Sequence, residues 1–331
     1  MCYISPMLTG CRCFIVAKVG RGSRIGRGLP AVVVALLLLF LMSCRDAKLP
    51  ATLAATLPGV ADETGMAMGL FNRTKNHSDE AGPLYRGNFG VAPDAALDEW
   101  VVVSYNLRYG EAITETIAAF QSIAPLPAAD VVMMQEMHES GVSAVAQALG
   151  YNYVYYPASV ASHGDNFGNA ILSRWPISDP AKIILPGLHP LTGQQRTATR
   201  ATVSIGDADA GTEEVLVYSV HAETATAPRS LRRAQYEAIL NDIPADATRV
   251  IIGGDFNTVT GRGVNQLAQL FDAGGIDHAS AALGPTFTRF GLRPSATDHI
   301  FYRGFEWQDA GVLGHITASD HFPVWARLAV P

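Results

Sequence analysis

Short apolar runs that stop abruptly on one polar residue recur along this chain, and they limit its possible folds more than any other feature. WVVVSYN (100–106) runs into Asn106, and DVVMMQE (130–136) into Glu136. VLVYSV (215–220) runs into His221, and RVIIGG (249–254) into Asp255. Runs of this length, rich in Val and Ile, read as buried strands. A carboxylate or carboxamide at the end of such a strand is costly unless something binds it.

YNYVYY (151–156), NAILS (169–173), the alternating stretch 197–205, TDHIFYR (297–303) and FPVWARLAV (322–330) extend the set of strands. Helical spacing predicts helices over 111–123, with Ile113, Ile117 and Phe120 on one face, and over 139–149, stopped by Gly150. A third amphipathic helix is predicted over 229–241, opened by Pro228. Several strands follow one another through short turns rather than helices. Two packed sheets therefore fit better than one doubly wound sheet.

The chain is 48% hydrophobic and 16% charged, so a sizeable core is expected rather than disorder. Net charge is -6, and acidic side chains outnumber basic ones beyond residue 98. Lys182 is the only lysine after Lys75. Such a surface does not draw long polyanions by its overall field. The cysteines are Cys2, Cys11, Cys13 and Cys44, which leaves the body of the chain without a disulfide or a thiolate metal site.

The first 44 residues read as a targeting segment. Arg12, Lys18, Arg21, Arg24 and Arg27 precede the apolar run AVVVALLLLFLM (31–42), which is short for a bilayer span but suits a signal-peptide core. LMSC resembles a bacterial lipoprotein signal with Cys44 as the lipidated residue, although Met42 stands where a small residue is usual. An uncleaved anchor or a plain signal peptide is the alternative, and translation could start at Met7. Residues 45–97 read as a tether with irregular structure, RTKNHSDEAGP (73–83) being a solvated loop. The domain is expected over 98–331. The expected setting is the periplasm or cell envelope of a bacterium, with membrane attachment through the lipidated N-terminus, as a monomer.

The polar strand-end residues form a coherent set. Besides Asn106, Glu136, His221, Asp255 and Asn257, Asp298 opens TDHIFY, and Asp320 and His321 precede the last strand. So many such residues suggest one cleft at the edge of the sheets. Their oxygen donors suit Mg²⁺ or Mn²⁺ rather than zinc. Hard metal, histidines and carboxylates together are equipment for attack of water on a phosphate ester. Gly253 and Gly254 read as room for the backbone to turn at the cleft floor. Asp255 and Asn257, two apart on extended chain, are expected to point the same way.

SYN (104–106), QEM (135–137), GNAILSRWPI (168–177), VHAE (220–223), GGDFNT (253–258), TDHIF (297–301) and SDHFPV (319–324) together resemble, in order and spacing, the endonuclease/exonuclease/phosphatase superfamily. That resemblance implies an α/β (α+β) four-layered sandwich, two packed mixed β-sheets flanked by helices. It implies a metal-dependent phosphoesterase with Glu136, Asn106 and Asp320 around the metal and Asp255 orienting or deprotonating water. Asn257 would bond the scissile phosphate, and His221 and His321 would stabilise its charge. Asp298 would orient one of those histidines, and Asn169 and Arg196 would contact substrate, with Arg200 competing for the arginine's place.

Departures and residues without a role follow. VHAET differs around His221 from the family's usual flanks. His299 reads as a packing residue, His163 as a loop residue, Arg232 and Gln235 as structural and Trp175 as core. The phosphate-ester substrate stays open between nucleic acid, a phospholipid headgroup and a small phosphoester, and an inactive surface binding module is the non-enzymatic alternative.

Overall fold

The computed structural model describes residues 74–91, 98–205, 213–289 and 293–331. The signal segment and Cys44 lie outside the described residues. The strands are β1 (Tyr85–Gly87), β2 (Glu99–Asn106), β3 (Val131–Met137), β4 (Asn152–Val160), β5 (Asn166–Ser173), β6 (Ile177–Leu188) and β7 (Gln195–Ile205). They continue with β8 (Glu213–His221), β9 (Val250–Asp255), β10 (Asp277–His278), β11 (Asp298–Arg303), β12 (Glu306–Val312) and β13 (Val324–Ala329). The α-helices are α1 (Ile113–Ser122), α2 (Glu139–Leu149), α3 (Arg229–Asp242) and α4 (Gly261–Ala273).

One sheet has the order β1-β4-β5-β3-β2-β13-β12, the other β10-β11-β9-β8-β7-β6. Both are mixed, because β2 runs parallel to β3 and β8 parallel to β9 while the other pairs are antiparallel. Period-2 alternation sorts the core into three apolar layers. Trp100, Val102, Met133, Ile171, Val217, Ile251 and Ile300 pack between the sheets. Val101, Val103, Val132 and Met134 face outward onto Phe120, Val142 and Val145 of α1 and α2. Tyr218, Val220, Val250 and Ile252 face the other way, onto Tyr236, Ile239, Leu267 and Phe271 of α3 and α4. Helices, sheet, sheet and helices therefore make the four layers.

The same alternation aims the polar strand ends. Asn106 continues the inward parity of Trp100 and Val102, and Asp255 that of Ile251. His221 continues Val215 and Val217, and Asp298 precedes inward Ile300 by two. All four open into the gap between the sheets, at the edge where those strands end.

Several elements escape the pattern read from sequence. β6 carries Pro180, Pro186 and Gly187 and two register shifts, so its alternation is broken. β12 is an edge strand whose residues are exposed or half-buried, and so lacks an apolar run. α4 opens on glycines, and its first turn is fixed by Thr260, whose Oγ1 accepts from the Gly263 backbone N–H at 3.1 Å. His138 caps α2 in the same way, its Nδ1 accepting from Gly141 at 3.1 Å.

The described part of the segment read as tether is built onto the domain. β1 pairs antiparallel with β4, Tyr85 opposite Tyr155, and Asn76 bridges to Ser159. Lys182, 3% exposed, donates its ammonium hydrogens to the carbonyls of His77 and Gly82. The polar loop 73–83 thus supplies, over its described residues, acceptors for a cation that would otherwise be buried without partners.

Candidate active site

Five strand ends meet between the sheets. β2 brings Asn106, β3 Glu136, β8 His221, β9 Asp255 and β11 Asp298. His321 arrives from the segment before β13. Asn106 is fully buried, and its Nδ2 donates to Glu136 Oε1 and to Asp255 Oδ2, each at 3.1 Å. His221 Nε2 lies 3.8 Å from Glu136 Oε1 and 3.7 Å from Asp255 Oδ2. His321 Nε2 lies 3.8 Å from the same Asp255 oxygen, and its Nδ1 donates to Asp298 Oδ2 at 2.8 Å.

Glu136 reaches this place through its backbone. Simple alternation would put it outward with Val132 and Met134. Its φ is 58, and the β3–β5 register shifts between Met134 and Met137. The shift returns Met137 to the outward core and swings Glu136 inward. A glutamate in left-handed conformation is strained, and such strain gathers at functional sites.

Asp255 ends its strand, and the chain does not continue extended beyond it: Asn257 has φ 52. The expected common direction of Asp255 and Asn257 is therefore corrected. The Asn257 backbone N–H donates to Asp255 Oδ1 at 2.8 Å, and its Nδ2 donates to the Ala222 carbonyl at 3.0 Å. The two glycines are corrected too. Gly253 and Gly254 lie within β9 and make no turn. A Cβ at Gly253 would sit 2.5 Å from Met133 Cε, and one at Gly254 2.0 Å from the Val220 carbonyl oxygen. Close approach of backbone and core, not bending, requires them.

The two histidines differ electrostatically. Burial would lower the His321 imidazolium, but the carboxylates of Asp298, Asp255 and Glu136 outweigh it and raise it to about 10. His221 is held well below the usual histidine range by burial, by Arg196 and by His321. Asp255 is raised to about 7, chiefly by burial, against the lowering influence of His321. Burial likewise raises Glu136. Asp298 Oδ2 also accepts from Thr286 Oγ1 at 2.6 Å and Thr297 Oγ1 at 2.9 Å.

Arg196 is 6% exposed, and one guanidinium nitrogen lies 3.3 and 3.1 Å from the two ring nitrogens of His221. Its Nε faces fully buried Glu223 at 3.5 Å. Arg200, the competing arginine, pairs instead with Asp242 at 3.0 Å, near the end of α3. Asn169 is 1% exposed and spends its amide on the Thr197 carbonyl at 2.7 Å, outside the cluster's hydrogen bonds. Asp320 is in neither group of ligand atoms that lie within 4.8 Å of one another; its carboxylate lies 3.9 Å from Arg108 Nε, and its charge still acts on Glu136.

The remaining histidines divide as their parity dictates. His299 faces outward, 2.7 Å from Thr258 Oγ1 and 3.2 Å from His278. Arg232 donates to the Asn257 carbonyl and Gln235 accepts from the Glu223 backbone, so both are structural. Glu223 and Thr286 had no role in the sequence reading. Glu223 appeared only as the last residue of the VHAE motif, without a role, and Thr286 had no signal, because an isolated bridge from Phe287 to His321 brings it in.

The donor set fits a hard divalent cation. Glu136, His221 and Asp255 offer atoms within 4.8 Å of one another, as do Asp255, Asp298 and His321. Two largely buried carboxylates share a single carboxamide donor, and a cation would relieve their repulsion. The Asn106 Oδ1 accepts from the Arg108 backbone N–H at 3.0 Å while its Nδ2 bridges the two carboxylates, so Asn106 is held from both ends of its amide.

The sequence model of the Endonuclease/Exonuclease/phosphatase family matches residues 103–321. Among solved structures, an endonuclease/exonuclease/phosphatase from Beutenbergia cavernae DSM 12333 aligns with TM-score 0.58 at 19% identity, over 71% of this chain and 72% of that one. A mannosyl-6-phosphatase from Bacteroides thetaiotaomicron VPI-5482 aligns with TM-score 0.53 at 19% identity, over 70% and 99%. TDP2 of D. rerio, complexed with a single-strand DNA product, aligns with TM-score 0.55 at 17% identity, over 70% and 99%. At these identities the likeness is one of fold. No curated protein matches the chain.

Proposed function

Because the chain belongs to the endonuclease/exonuclease/phosphatase family and is a hydrolase of phosphoric ester bonds, we propose that it is an exported, Mg²⁺- or Mn²⁺-dependent enzyme that cleaves a small phosphoester by in-line attack of water. The observation that carries this reading is the meeting of Glu136, Asp255, His221 and His321 around one buried carboxylate oxygen, Asp255 Oδ2.

Asp255 is the base. Its Oδ1 is engaged by the Asn257 N–H, which leaves Oδ2 toward the cluster. A carboxylate raised to about 7 is matched to proton abstraction near neutrality. His321, charged and held by Asp298, faces the negative charge that develops on the phosphoryl oxygens. His221, kept neutral with Arg196 against its ring, offers a hydrogen bond without a second full charge. Glu136, with Asp255 and His221 beside it, would hold the metal. When bound, such an ion neutralises phosphate oxygens and makes water a better nucleophile.

A small ester is favoured over a long polyanion because Lys182, the only lysine after Lys75, is buried and already bonded. Nucleic-acid affinity normally draws on many basic contacts. Exposed Arg229, Arg233, Arg289 and Arg293 support a second reading, in which a nucleic-acid end is the substrate. Turnover of a hexose phosphate, sphingomyelin, an RNA oligonucleotide and plasmid DNA, with and without EDTA, separates these readings from each other and from a binding module. Glu136→Ala or His321→Ala is expected to abolish turnover while the circular-dichroism spectrum stays that of the folded protein, and full activity in either variant would sink the assignment. Export and lipid anchoring rest on residues 12–44, and a soluble Cys44→Ser variant in fractionated cells is their expected signature.

A further inference from the structure

A row of rings leads from the phosphate site to the surface and ends on Tyr109. His221 touches Phe167 at 5.6 Å between centroids, and Phe167 touches Tyr109 at 5.3 Å. Tyr109 also meets His163 edge-on, at 5.5 Å and 84°. Phe167 is 3% exposed, whereas Tyr109 is 41% exposed. One side of the Tyr109 ring is thus braced by two neighbours while the rest is open.

The backbone that presents this ring is strained. Arg108 has φ 43, Tyr109 φ 59 and Gly110 φ 64, immediately after β2 delivers Asn106 to the site. Consecutive non-glycine residues in the left-handed region persist only where the surroundings over-determine them. Here the turn is held by the Arg108 N–H on Asn106 Oδ1 and by the Gly110 N–H on the Leu107 carbonyl, at 3.0 and 2.9 Å. The residue that fixes the carboxylates therefore also sets the position of the exposed ring. A tyrosine serving only as packing would gain by burial, and this one is kept out.

We propose that Tyr109 is the specificity-determining face of the site, and that it selects phosphoesters whose phosphate is carried by a ring, through the CH face of a sugar or the plane of a nucleobase. The proposal rests on the phosphoesterase reading above and adds the substrate class to it. Two ring contacts separate Tyr109 from His221, so a sugar or base carried beyond the ester oxygen extends along that row toward Tyr109, whereas glycerol has no ring to meet it. The open face of the ring offers stacking as a source of affinity for the leaving group.

The test compares wild type, Tyr109→Ala and Tyr109→Phe on mannose 6-phosphate, thymidine 5′-monophosphate and glycerol 3-phosphate. Tyr109→Ala is expected to raise KM about tenfold for at least one ring ester, the loss of one stacking contact. Its kcat should hold within about twofold, its KM for glycerol 3-phosphate should not change, and Tyr109→Phe should restore the wild-type values. Whichever ring ester responds identifies sugar or base. An unchanged KM on both ring esters, or an equal loss on all three esters, overturns the proposal. Calorimetric titration of Asp255→Asn with and without Tyr109→Ala reads the same preference without turnover, and equal Kd values there overturn it as well. Wild-type protein that hydrolyses none of the esters but shows the Tyr109-dependent Kd would refute the phosphoesterase reading alone.

Discussion

Asp298→Asn should convert His321 from a permanent cation into a titrating one. The distance between the ordinary value of 6.5 and about 10 corresponds to about 5 kcal/mol in favour of the charged ring. Three carboxylates produce that preference against the cost of burial, and Asp298 is the strongest, bonded at 2.8 Å where Asp255 is 3.8 Å away. Asp298 acts both as a charge and as a hydrogen-bond acceptor, so removing about half of that preference, roughly 2.7 kcal/mol, brings the midpoint to about pH 8. At pH 9 the charged fraction then falls about tenfold, while at pH 6.5 it barely changes. The variant's rate relative to wild type should therefore be about ten times lower at pH 9 than at pH 6.5, and the His321 ring resonances of metal-free protein should titrate earlier. Stability follows the same sign. A histidine raised in the folded state stabilises fully below 6.5 and loses that contribution as pH rises through about 10. The stability difference between wild type and variant should accordingly shrink as pH approaches 10. A rate ratio independent of pH, or an unmoved titration, would mean that Asp298 does not hold the His321 charge.

Other consequences follow from particular contacts. Gly254→Ala places a Cβ 2.0 Å from the Val220 carbonyl oxygen and should destabilise the fold by about 3 kcal/mol or prevent it, whereas Gly261→Ala meets open space and should leave the thermal midpoint within about 2 °C. His299 is lowered to about 4 by burial, so the unfolded chain binds the extra proton between 6.5 and 4, and stability present above 6.5 is lost as pH falls. Urea midpoints should decline over that window by up to about 3 kcal/mol, and His299→Gln should flatten the decline. Lys182→Met leaves the His77 and Gly82 carbonyls without their donor, and trypsin should then cut at Lys75 and Arg86 faster than in wild type.

Much of the site was legible because its information is local. A strand of period two aims every second residue alike, so Asn106, His221, Asp255 and Asp298 could be gathered from their positions after apolar runs. The same parity put His299 outward, where it bonds Thr258. Elements whose burial is partial were not legible. β6 and β12 lack an apolar run because one is broken by proline and bulges and the other lies at a sheet edge. β1 is a three-residue strand that exists only because β4 offers a free edge.

The order of residues along the chain was enough to place the strand ends and the oxygen and imidazole donors they carry, and through them the reaction class. The aim of each group came from the packing of the sheets. Glu136 turns inward because a bulge and a left-handed φ override its parity, and Asn257 lies past the end of its strand, where period two no longer aims it. Arg196 rather than Arg200 meets His221, Asp320 lies beside Arg108, and the glycines of β9 serve close approach instead of a turn. These outcomes depend on how one sheet lies on the other, a relation between residues far apart in the chain that no local period encodes.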